Sequence, residues 1–207
     1  MTAGTIIRSI ASPVTFPSSL AWDGRYLWCE GFGANRIYQV DPITGAAIRS
    51  FATPGSSSSG LAWDGRSLWH GDDGTGLLYQ IDPVSGAVIR SIAFSPLPEG
   101  LAWDGHSLWA VGYTTQRIYQ IDPVSGAVIR SFACPGGDDS RGLVWDGRSL
   151  WNADFGADTI YQIDPITGAT IRSISAPTAN PTALAWDGRS PWYADFALHL
   201  IYQLSLN

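Results

Sequence analysis

A segment of about forty residues recurs five times along this chain, and a fixed period of that length restricts the fold more than composition does. Its first half, L-A/V-W-D-G-x-x-L/P-W, begins at Leu20, Leu61, Leu101, Leu143 and Leu184. Its second half, I/L-Y-Q-I/V-D-P-x-S/T-G-A-x-I-R-S, begins at Ile37, Leu78, Ile118 and Ile160, and a truncated copy runs from Ile201 to Asn207. Each unit of such a repeat buries its apolar face only against its neighbours, so the chain is a stack or a ring of equivalent modules.

Within a unit the apolar residues alternate with a period of two, which predicts four short strands, A to D. Strand A (G-L-A-W) ends at W-D-G, where Asp-Gly supplies the positive φ of a tight hairpin. Strand B runs through S-L-W and the residues after it. Strand C (I-Y-Q-I) is ended by D-P-x-S/T-G, in which Asp opens a type I turn, Pro fixes φ and Gly takes the left-handed conformation. Strand D (A-V-I-R-S) is rich in β-branched residues. Four antiparallel strands, five times over, make the chain all-β and predict a five-bladed β-propeller.

The ends specify how the ring closes. Gly4–Ile10 aligns with the D strand at Gly45–Phe51, whereas Ile201–Leu204 is a C strand with no D after it. Pairing the two would complete the last blade and remove both open edges. Residues 1–207 are thus expected to form one propeller domain, with residues 4–10 completing blade 5. In an antiparallel blade the A–B and C–D turns leave one face, and the D–A and B–C connections leave the other. The repeated W-D-G and D-P turns tile the first. The second carries the variable loops, where a rigid scaffold usually holds its function.

Composition narrows the chemistry. The chain has no lysine, so all 12 basic residues are Arg, which excludes a Schiff-base or phosphate-loop lysine. A net charge of −6 argues against nucleic acid and anionic membranes as partners, and no apolar run is long enough for a membrane helix. The first residues lack the basic-then-apolar pattern of a signal peptide, so a cytoplasmic location is the default expectation; a processed secreted form would read the same. Cys29 and Cys134 stand at non-equivalent repeat positions and read as a buried small hydrophobe and a loop thiol.

The aspartates of W-D-G and D-P recur inside turns and read as structural. The ten tryptophans read as interblade filling, and the strand D arginines as charges guarding an outer edge. Positions that break the repeat are the candidates for ligand binding. Beyond the second Trp they are His70, Asp72, Asn152, Asp154, Tyr193 and Asp195, with Tyr113 and His199 in the loops that follow. The three aspartates read as separate surface or blade-edge carboxylates, because equivalent strand B positions should lie on the order of 10 Å apart, too far to share one ion. The two histidines read as surface residues. Just before strand A, nearest the axis, stand Ser18, Ser59, Glu99, Arg141 and Thr182, so an ion pair between Glu99 and Arg141 is expected across the channel mouth. No catalytic triad or metal-ligand spacing is visible, so neither a catalytic residue nor a cofactor is assigned.

The motif G-L-A-W-D-G-x-x-L-W followed by I-Y-Q-I-D-P-x-S/T-G-A-V-I-R resembles the repeats of bacterial propellers related to streptogramin lyase and the gluconolactonase-like family. That resemblance implies a propeller with six or seven blades and a divalent metal held by acidic, amide or imidazole groups at the channel. Here the corresponding positions are mostly Ser, Gly, Thr and Ala, with Glu99 opposed by Arg141. In blade number the chain is similar to plant-type glutaminyl cyclotransferase and to the five-bladed lectin tachylectin. The expected function is a non-catalytic, monomeric binding module for a small molecule, glycan or protein. A lyase- or hydrolase-like enzyme in the channel mouth is the alternative, and a multivalent lectin the second.

Overall fold

A computed structural model describes residues 4–137 and 139–206. Strand β1 (Ile6–Ala11) precedes the first repeat. Blade 1 follows as β2 (Pro17–Trp22), β3 (Leu27–Gly31), β4 (Arg36–Val40) and β5 (Ala47–Ala52). Blade 2 is β6 (Ser58–Trp63), β7 (Leu68–Asp72), β8 (Leu77–Ile81) and β9 (Val88–Ala93). Blade 3 is β10 (Pro98–Trp103), β11 (Leu108–Gly112), β12 (Arg117–Ile121) and β13 (Val128–Ala133). Blade 4 is β14 (Ser140–Trp145), β15 (Leu150–Asp154), β16 (Thr159–Ile163) and β17 (Thr170–Ser175). Blade 5 is β18 (Pro181–Trp186), β19 (Pro191–Asp195) and β20 (Leu200–Leu204).

Each blade is a four-stranded antiparallel sheet, and the last has the order β1-β20-β19-β18. The N-terminal strand thus supplies the missing D strand, pairing Ser9 with Tyr202 and Ile10 with Ile201. The A strands start two residues earlier than the motif implied, because Pro17, Ser58, Pro98, Ser140 and Pro181 already pair with the ends of the B strands. Among the described residues no helix is long and apolar enough to cross a membrane.

Both repeated turns use the conformations their residues favour. In W-D-G the glycines hold φ between +91° and +101°, as at Gly188 and Gly105. The Asp Oδ1 accepts from the next two free amides, at 2.8 and 2.7 Å for Asp23. In D-P-x-S/T-G the glycine is left-handed, and at Gly168 (φ +75°) a Cβ would also meet the Phe132 ring of the preceding blade at 2.6 Å. That turn therefore serves both as a hairpin and as a blade contact. Turn amides hold the carboxyls of Asp41, Asp82, Asp122 and Asp164 below the usual range.

The tryptophans divide into two rings. Trp28, Trp69, Trp109, Trp151 and Trp192 are sealed between blades, and Trp109 packs against Leu143 and Leu150 of blade 4. The other five, one per A strand, are only half-buried around the axis. The strand D arginines are not simple edge charges. Arg49, Arg90 and Arg172 lie over Trp28, Trp69 and Trp151 at 5.1–5.3 Å, each donating Nε to a strand C glutamine. Both cysteines are free, Cys29 buried and Cys134 half-buried.

Trp109→Ala is expected to cost about 3–5 kcal/mol in urea denaturation, and Trp103→Ala clearly less, since only Trp109 loses a fully packed environment. A cost for Trp109→Ala below about 1 kcal/mol would contradict the interblade assignment.

Candidate functional site

The axis is closed on the loop face. Ser19, Gly60, Gly100, Gly142 and Ala183 stand at equivalent positions of the five A strands, and these strands pack backbone to backbone. A Cβ on Gly100 would run into the Arg141 carbonyl oxygen, and one on Gly142 would lie 2.9 Å from the Ala183 Cα. The expected channel mouth is therefore absent on that face, where only about 10 Å³ remains. Five blades with small residues at the hub leave no lumen there. The axial opening is on the turn face: a well of about 170 Å³, lined by Trp22, Trp63, Trp103, Trp145 and Trp186 above Leu and Ala side chains of the A strands.

Most of the repeat-breaking residues are structural. His70 is not a surface residue but wholly buried between blades 1 and 2, its Nε2 3.2 Å from Glu30 Oε1. Burial pushes its imidazole down to about 4, so the neutral ring donates to the Glu30 carboxyl. Asn152 is buried too, accepting from the Ser140 hydroxyl (2.8 Å) and donating to the Gly142 carbonyl (2.9 Å). Tyr193 bonds the Thr178 hydroxyl at 2.7 Å and stacks on Tyr202, and burial raises its phenol to about 12. His199 is half-buried, left-handed (φ +57°) and edge-on to Phe16.

The three strand B aspartates are not surface carboxylates; Asp72, Asp154 and Asp195 are at most 1% exposed. Each ends its B strand and caps the turn that follows. Oδ1 accepts from Thr75 N (2.7 Å), Ala157 N (2.8 Å), or Ala197 N and Leu198 N (2.9 and 2.7 Å). They differ at the second oxygen. Asp72 Oδ2 accepts from Ser57 N at 3.0 Å, whereas Asp154 Oδ2 and Asp195 Oδ2 have no partner among the described residues.

The loop face opens at the seam of blades 3 and 4. A cleft of about 660 Å³ lies between blades 3 and 4, lined by Tyr113, Gln116, Gly136, Gly137, Asp139, Arg141, Asp154, Gly156 and Ala157. Of the ten candidates it gathers Tyr113, Arg141 and Asp154, with Glu99 at its inner edge. The Glu99–Arg141 pair is long, 4.0 Å, because Arg141 is held chiefly by Asp139, through Nε at 2.8 Å and Nη2 at 3.4 Å. Its guanidinium also lies over the Phe155 ring at 4.0 Å. Gln116 braces the wall, accepting from Ser140 N (3.0 Å) and donating to the Tyr113 carbonyl (2.8 Å). Asp139, Gln116 and Phe155 escaped the sequence reading. For Asp139 the signal was the D–A segment Ala133–Gly142, the longest of the five and the one with Gly-Gly-Asp-Asp. Its Asp138 lies outside the described residues. No group of three or more His, Cys, Asp or Glu among the described residues could hold a metal ion.

Charge is divided between the faces. The turn side carries nine Asp and nine Arg, whereas the described residues of the loop side are eight acids and three Arg. Burial raises the Glu99 carboxyl to about 7, against the pull of Arg141 and with the help of Asp73 and Asp139. The two shifted groups have opposite pH signatures. Glu99, raised from 4.5, withdraws stability as pH climbs towards 7; His70, lowered from 6.5, withdraws it as pH falls towards 4. The melting temperature of Glu99→Gln relative to the parent should therefore rise between pH 5 and pH 8, and that of His70→Gln should rise on going down to pH 4.5. Parallel profiles for the two variants would show that these groups do not set the pH dependence.

No protein-family model matches the sequence, and no curated protein does. Solved structures match the fold. Glutaminyl cyclase from Myxococcus xanthus superposes with a TM-score of 0.85 at 16% identity, over 98% of this chain and 96% of that one. Virginiamycin B lyase from Staphylococcus aureus gives 0.59 at 20% identity, over 95% of this chain and 68% of the lyase. The β-propeller domain of Cps50 (Swd1) from Myceliophteria thermophila gives 0.59 at 13% identity, over 98% and 99%. At these identities the likeness is one of fold: an all-β propeller, here with five blades, whose structural neighbours include a streptogramin-type lyase and a glutaminyl cyclase.

Proposed function

We propose that this protein is a non-catalytic binding module that takes a small polar ligand in the loop-face cleft between blades 3 and 4. The observation that carries the reading is Arg141, fixed from two sides by Asp139 and Phe155 at the wall of a 660 Å³ cleft. Such a volume suits a small molecule, and a charged group locked by its neighbours is pre-organised to orient one. The sealed Trp ring of the B strands offers no sugar-stacking platform, and the cleft at one seam is unlike a lectin's set of equivalent pockets.

A second reading has a specific basis. Glu99, raised to about 7 and 4.0 Å from Arg141, is poised for proton transfer at neutral pH, and the fold matches 96% of a glutaminyl cyclase. Under this reading Glu99 would serve as acid or base at the inner edge of the same cleft.

Amide-resolved NMR with a library of small polar fragments tests the first reading. Hits should perturb Tyr113, Gln116, Gly137, Arg141 and Gly156 together; hits confined to the Trp-lined well would reject the cleft. Incubation with a glutaminyl peptide tests the second. Cyclised product, lost in Glu99→Gln, would establish an enzyme and displace the binding reading. Millimolar Ca²⁺ should leave the melting temperature unchanged, since a hard cation needs six or more oxygen ligands and would stabilise only by binding the native state.

A further inference from the structure

We propose that the cleft selects an organic cation bearing N–H donors, an alkylammonium or guanidinium head, and that Asp154 Oδ2 is its anchor. The proposal rests on the reading of the cleft as a ligand site and adds the ligand's chemistry and the residue that recognises it. The repeat supplies an internal comparison. Asp72 and Asp154 end equivalent B strands, are equally buried and cap equivalent turns through Oδ1. In blade 2 the D–A loop closes over the carboxylate. Ser57 N donates to Oδ2 at 3.0 Å, and Gly55 lies so near that a Cβ there would collide with that oxygen. In blade 4 Gly136 lies over Asp154 Oδ2 as Gly55 does over Asp72, a Cβ there meeting that oxygen at 2.5 Å, but the residue matching Ser57 is Asp139, whose side chain holds Arg141, and no amide among the described residues reaches Oδ2. Asp154 lines the cleft between blades 3 and 4, and its buried Oδ2 has no donor among the described residues. Asp195 has an unbonded Oδ2 as well, but it does not line the cleft. An unpaired oxygen alone marks nothing; an unpaired oxygen beside a ligand-sized space does.

Charge chooses the ligand class. Three carboxyl groups stand at the cleft or its inner edge, Asp139, Asp154 and Glu99, against the single Arg141. Arg141 already spends Nε and Nη2 on Asp139 and a face on Phe155. An anion would have to displace Asp139 from Arg141 and approach Asp154. A divalent metal would need several more oxygen ligands than the cleft offers. An ammonium or guanidinium group needs one charged acceptor for a strong charge-assisted hydrogen bond. Half-exposed Tyr113 adds an aromatic face for the same charge.

The test titrates the whole protein with n-butylammonium, n-butylguanidinium, choline and n-butyrate, followed by calorimetry and by the amide signals of Gly137, Gly156 and Ala157. The first two probes should bind and move those amides. Asp154→Asn, which keeps the Oδ1 cap, should weaken them about tenfold or more, whereas Asp72→Asn should leave affinity within about twofold. A melting curve for each variant confirms that it is folded. Choline binding as well as n-butylammonium would overturn the proposal, because choline has no N–H to give Asp154. So would undiminished binding in Asp154→Asn. Butyrate moving the cleft amides while the cations do not would overturn the cation class but leave the cleft as a binding site. No cleft response to any probe would also overturn it, and the fragment map would then decide the cleft independently.

Discussion

The carboxylate of each W-D-G turn is the interaction on which the blades depend. In blade 1, Asp23 Oδ1 takes the amides of Arg25 and Tyr26, while Oδ2 takes the Trp28 indole N–H at 2.9 Å and the Gln39 amide at 3.1 Å. Gln39 Oε1 in turn receives Arg49 Nε at 2.9 Å, and the Arg49 guanidinium covers the Trp28 ring. One acidic side chain thus joins the A–B turn, strand B and strand C directly, and strand D through one intermediary. All five repeats bond Trp Nε1 to this Asp, at 2.7–3.0 Å. A carboxylate with four donors is strongly held, and the buried indole N–H is satisfied with no water needed. The network is loosest in blade 3, where Gln120 Nε2 is 3.4 Å from Asp104 and closer, at 3.0 Å, to the Ser107 hydroxyl.

These bonds explain why the letters W, D, W, Q and R recur while the loops drift. They also commit the turn face to structure: its charges balance, and its aspartates are consumed by amides. The excess negative charge stands on the loop side, on carboxyls not engaged in this network. The opening on the turn face is apolar and axial, whereas the opening on the loop face is polar and lies off the axis. A cylinder of five equal blades thereby acquires two chemically different ends.

What the sequence revealed follows from how local each signal was. Turn residues and a period of two are properties of a few neighbouring positions, so the strands, both turns and closure through residues 4–10 were legible. The environment of His70 was not, because its partner Glu30 lies one blade away and only the assembled ring brings them to 3.2 Å. Asp72, Asp154 and Asp195 were misread for a related reason. Each sits at a strand end, which in a single blade looks exposed, yet each caps its own following turn beneath a loop from the same blade. The Glu99–Arg141 pair was legible as neighbours in adjacent blades, but Asp139, two residues before Arg141, wins the guanidinium by being nearer. The closed hub was written in Ser19, Gly60, Gly100, Gly142 and Ala183, although small residues indicate close approach only once the number of blades is known.

Near-identical repeats also turn the molecule into its own set of controls. An architecture with five copies of one solution shows what each residue does when it only stabilises: Asp72 is the structural state of a strand B aspartate, with every oxygen answered by backbone. Departure from that state, not conservation of it, marks a place free to do something else. At the seam of blades 3 and 4 three departures coincide: the longest D–A segment, a second glycine after the one that lies over the carboxylate, and a side chain at Asp139 that turns to Arg141 while no amide among the described residues answers Asp154 Oδ2. Any one of them would be ordinary loop variation. Together they leave a buried carboxyl oxygen without the amide that its blade 2 equivalent receives, which costs about 1–3 kcal/mol in a site left unfilled. A rigid ring can carry that cost because all five blades remain locked by their own aspartate networks.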